Sequence, residues 1–125
     1  MGFLDRLKGS SQKFTENGRK EIYYNFYLEL YTKIMDEKEL LYQLAKAYQH
    51  QNSSECFKIE SEIVRRTNDV TVKKILLKYN ISKIELDNIF KEGFEKRWPR
   101  ISKGQMALEK GFPPEVALAL ERPLY

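Results

Sequence analysis

From Glu21 to His50 the chain contains no glycine or proline, and its apolar side chains recur at steps of three and four. Only a helix brings residues so spaced onto one side. Tyr23, Tyr27, Leu30, Ile34, Leu41, Leu44 and Tyr48 form one stripe, and Tyr24, Leu28, Tyr31, Met35, Tyr42 and Ala45 form a second beside it. Together they are wider than the seam of a two-stranded coiled coil, so the helix must pack against more than one neighbour. Asp36-Glu37-Lys38-Glu39 interrupts both stripes, and Asp36 and Glu39 have the spacing of a capping box, which offers the alternative of a second helix starting there. No turn-forming residue stands there and the stripes resume in phase, which predicts one kinked or unbroken helix over about 21–50.

The remaining elements are also helical. Gln51-Asn52-Ser53-Ser54 supplies turn and capping residues, after which a helix is expected from about Ser54 to Arg66 with Cys56, Phe57, Ile59, Ile63 and Val64 buried. Thr67-Asn68-Asp69 reads as a stop, followed by a helix marked by Val72, Ile75, Leu76 and Tyr79. Ser82 and Glu85 form a capping box flanked by a staple of Ile81 and Leu86. They start a helix whose inner face is Leu86, Ile89, Phe90 and Phe94, and Trp98-Pro99 ends it. Ser102 with Gln105 opens another helix, Gly111 stops it, and Pro113-Pro114 begins a last one through Leu120. With no alternating strand pattern and no repeat, the expected fold is all-α, a compact bundle of five or six helices built around the helix at 21–50. Residues 1–19 read as a short amphipathic segment and flexible linker, 20–98 as the helical core, and 99–125 as a C-terminal arm packed on that core or on a neighbouring chain.

Composition removes several classes of function. The 125 residues include one histidine, His50, and one cysteine, Cys56, too few for an internal disulfide or a Cys/His metal site from a single copy. There is no glycine-rich phosphate loop, zinc-protease pair or nucleophile elbow, and Cys56 sits on an apolar stripe as an inert thiol would. The expectation is therefore a protein that is not an enzyme and that carries no metal and no cofactor. No stretch approaches the ~20 apolar residues of a membrane span and no apolar run of signal-peptide length opens the chain, so the expected compartment is the cytoplasm. Phe3, Leu4 and Leu7 share one face of the first residues, a pattern suited at most to brief contact with a membrane surface.

Two features point to binding. Tyr23, Tyr24, Phe26, Tyr27 and Tyr31 crowd one helix, and five rings spread around a helix cannot all face one core. Tyr23, Tyr24, Tyr27 and Tyr31 are thus the expected protein interface, and the simplest partner is a second copy, giving a homodimer and an interaction or adaptor domain. The alternative partner is DNA. The two helices meeting at Tyr79-Asn80-Ile81-Ser82 resemble a helix-turn-helix, with Ile75, Tyr79, Ile81, Leu86 and Ile89 as its internal anchors. That resemblance implies that Lys83, Ile84, Asp87 and Asn88 face the major groove while Lys73, Lys74, Lys78 and Lys91 lie near phosphates, with Asp87 and Glu85 placing negative charge on that face. Leu76 stands where the motif favours a small residue, and Asn80 where it often has glycine. The net charge of +4 suits such a partner without demanding one.

Overall fold

A computed structural model describes residues 14–122, so the reading of Phe3, Leu4 and Leu7 lies outside the described residues. Among the described residues the fold is all-α, with six helices and no strand.

Helix α1 spans Glu16–Asp36. It begins inside the stretch expected to be linker, because Thr15 accepts a hydrogen bond from the Gly18 amide and caps the first turn. The single helix expected over 21–50 is two helices. At Glu37 the backbone leaves helical geometry (φ −87°, ψ 52°) and its amide turns back to the Ile34 carbonyl, after which α2 runs over Lys38–Gln49. Ile34 and Met35 before the break and Leu41 and Leu44 after it still enter one core, which is why the stripes keep phase across it. Arg66 reaches the Glu37 carboxylate at 3.2 Å.

Helix α3 spans Ser53–Tyr79, 27 residues without the stop expected at Thr67-Asn68-Asp69. Thr67 is buried and its hydroxyl donates to the Ile63 carbonyl one turn back, so the polar group is satisfied by the helix itself. Helix α4 spans Lys83–Glu95, capped by Ser82 accepting from the Glu85 amide, with Ile81 and Leu86 buried on either side as the staple requires. Helices α5, Lys103–Glu109, and α6, Pro114–Glu121, complete the chain. Ser102 caps α5 and also donates to Glu121 at the end of α6, whose carboxylate accepts from the Gly104 amide as well. The arm is thereby folded back on itself and packs on α2 of its own chain.

Four helices end by the same device. Gln51, Asn80, Arg97 and Gly111 take positive φ just beyond α2, α3, α4 and α5. The next amide in each case, from Asn52, Ile81, Trp98 or Phe112, bonds to the carbonyl five residues back. Ile81, Trp98 and Phe112 are buried, so three of these turns also drive an apolar side chain into the body.

The interior has two centres. One gathers Tyr31, Ile34, Leu41, Leu44, Ile59 and Ile63 with Val116 and Leu120; the other gathers Ile22, Tyr23, Phe26, Ile75, Leu86, Ile89 and Trp98. Tyr27 and Leu30 touch both. Two apolar residues expected inside are outside, with Phe57 66% and Phe94 78% exposed. Each sits at the margin of its helix's apolar stripe, where the neighbouring positions Cys56 and Gly93 face the core instead.

Candidate binding sites: an aromatic groove and a basic corner

The aromatic cluster of α1 turns mostly inward, and this corrects the expected interface. Tyr23 and Tyr31 are buried, Tyr27 is half-buried, and only Tyr24 of the four is exposed, at 44%. The Tyr23 ring meets Tyr27, Phe90 and Trp98 edge-on with centroids 5.0, 6.3 and 5.6 Å away, the arrangement that aromatic quadrupoles favour. Phe90 of α4 lies against Phe26 at 4.5 Å. Burial raises the Tyr31 hydroxyl to about 12, and burial also raises Tyr23. These rings are spent on joining α1 to α4 and to the Trp98 turn.

Because α3 and α4 both pack on α1, a groove of about 550 Å³ is left along it. Phe26, Tyr27, Leu30 and Tyr31 of α1 line it together with Val64, Asn68 and Val72 of α3 and Phe90 of α4. The charged lining is Lys83, Asp87, Arg100 and Lys103. Lys83 donates to Asp87 at 2.6 Å, so that pair balances itself. The Arg100 guanidinium lies 5.2 Å from the centre of the Tyr27 ring, within cation–π range. Burial pulls the Lys103 ammonium below its ordinary value, with Glu121 and Glu60 opposing that shift and Arg100 adding to it. It donates to the Arg122 carbonyl at 3.4 Å. Sequence reasoning missed this groove. Val64, Asn68 and Val72 are four apart on α3, a signal that the expected stop at Thr67-Asn68-Asp69 obscures.

The corner between α3 and α4 is the second site. All seven residues expected to approach DNA, Lys73, Lys74, Lys78, Lys83, Ile84, Asn88 and Lys91, are exposed. Asn80 adopts the left-handed conformation (φ 51°, ψ 54°), so the turn forms with asparagine where a glycine would be easier. The packing departs from the motif, since α3 and α4 lean on α1 rather than chiefly on each other, and the first member is the last part of a 27-residue helix. Lys74 is held by Glu29 at 2.9 Å, Lys83 by Asp87, and Lys78 lies 5.4 Å over the Tyr79 ring. Leu77, 80% exposed, and Ile84, 73% exposed, flank the turn.

Cys56 is buried and His50 is exposed at the end of α2. No group of three or more histidine, cysteine or carboxylate side chains among the described residues is placed to hold a metal ion, and no described helix is long and apolar enough to cross a membrane. Comparison with protein-family models, curated proteins and solved structures finds no match to this chain.

Proposed function

We propose that this chain is a non-enzymatic helical interaction module that docks an acidic protein surface on the corner between α3 and α4. The observation that carries the reading is the exposure of Leu77 and Ile84 on either side of the turn, with Lys73, Lys78 and Lys91 also exposed on the two helices. Large apolar side chains held in water beside cations suit a partner that covers them and offers carboxylates. They suit a phosphate backbone less well, because the exposed Asp87 carboxylate lies on α4 among the residues that would face it.

The test is affinity capture with the intact chain and with a Leu77→Ser/Ile84→Ser variant, each checked for the same thermal transition. Partners held by the first and lost by the second support the reading; the same partners on both remove it. Light scattering on the same samples identifies the partner as a second copy if a concentration-dependent dimer disappears in the variant. The DNA reading is favoured by the exposure of all seven expected contacts. It predicts salt-sensitive binding to duplex DNA that weakens on substituting Lys83 and Asn88, and binding indifferent to those changes ends it.

A further inference from the structure

We propose that the groove along α1 is a binding site for a small amphiphilic anion, a molecule with an apolar or aromatic body and a single carboxylate. The site is distinct from the corner and rests on separate observations. Its volume of about 550 Å³ falls in the range of small-molecule sites, roughly 300–1,000 Å³. Its floor is apolar and rigid, because Tyr27 and Phe90 are fixed by the ring cluster and Leu30 packs into both cores.

Charge selects the head group. Of the four charged side chains in the lining, Lys83 and Asp87 satisfy each other, which leaves Arg100 and Lys103 as the two cations without a carboxylate partner in the lining, Lys103 being attracted by Glu121 and Glu60 from outside it. The carboxylate of Glu121 is engaged by Ser102 and the Gly104 amide, and neither it nor Glu60 lines the groove. Burial penalises the Lys103 charge, so an anion placed against it recovers a cost the protein already bears. Arg100 adds a planar donor fork that lies over the Tyr27 ring and hydrogen-bonds Tyr27, with its remaining N–H groups suited to a carboxylate at the edge of an apolar surface. A neutral ligand would bring neither cation a counter-charge, and a cationic one would be repelled.

The experiment is isothermal titration of the full chain with decanoate, decanol and decylammonium, three probes that share a tail and differ in head group. One decanoate per chain is expected, bound about tenfold or more tightly than decanol, with no binding of decylammonium. Arg100→Gln and Lys103→Gln, made separately so that loss of folding in one leaves the other as the test, should each weaken decanoate about tenfold and leave decanol unchanged. Asn68→Trp should fill the groove and remove both decanoate and decanol binding. The proposal falls if decanoate does not bind the folded chain, if the three head groups bind alike, or if decanoate binding is indifferent to all three substitutions. It also falls if an acidic aromatic peptide binds in an Asn68→Trp-sensitive manner while decanoate does not, since the occupant is then a partner's segment.

Discussion

A side chain at Gly93 has no room. A Cβ there would lie 2.4 Å from the Tyr23 ring and 2.9 Å from the Trp98 ring, and both rings are buried and braced by their neighbours. Gly93→Ala should cost about 1–3 kcal/mol, read as a lower urea midpoint with an unchanged slope. Thr71 offers the opposite case. Its hydroxyl is buried and has no hydrogen-bond partner among the described residues, whereas that of Thr67 is satisfied within the helix. Thr71→Val should therefore stabilise the protein by about 1 kcal/mol in the same assay, and Thr67→Val should not. At Glu92, hydrogen bonds from Arg19 at 2.6 and 3.1 Å, with Lys96 at 3.1 Å, hold the carboxyl below its ordinary 4.5. The unfolded chain binds that proton more readily, so the contribution is complete above the ordinary value and drains away as the pH falls through the lowered one. Glu92→Gln should cost about 1 kcal/mol at neutral pH and flatten the acid side of a stability–pH profile.

At the scale of elements, the repeated left-handed helix ends set a gradient of cost. Gly111 adopts its φ of 90° freely and Asn80 tolerates the region, but Gln51 and Arg97 pay for it with a Cβ. Arg97→Gly should raise stability by about 0.5–1 kcal/mol, measured as a higher thermal midpoint, with a smaller gain for Asn80→Gly. The same elements show what the sequence makes legible. Ser82, Ser102, Gly111 and Pro113-Pro114 mark boundaries correctly because capping and turn chemistry act within a few residues. The break at Glu37 is hard to read because no glycine, proline or asparagine marks it and the apolar stripes keep phase across it. The continuity through Thr67-Asn68-Asp69 is hard to read because it depends on a core that buries Thr67. Residue type likewise could not reveal that Phe57 and Phe94 face solvent. The seven candidate contacts at the corner were accessible to a local reading, and all of them are exposed. The groove was not, because its lining comes from α1, α3, α4 and residues 100 and 103.

For the molecule as a whole, α1 and α3 are long members common to both cores, while α2, α5 and α6 belong to one and α4 to the other. Native-state hydrogen exchange should accordingly find the slowest amides in the middle of α1 and α3, with α4 and the α5–α6 arm opening at lower free energy. A single protection level across all six helices would contradict that arrangement. The division also orders events during synthesis. The core around Tyr23 has all its buried members once Trp98 has been added, but the one around Leu41 and Leu44 lacks its last until Leu120. In that interval the α2 face that α6 will cover is the unprotected apolar surface of a nascent chain, and the place where a chaperone or a wrong partner would take hold.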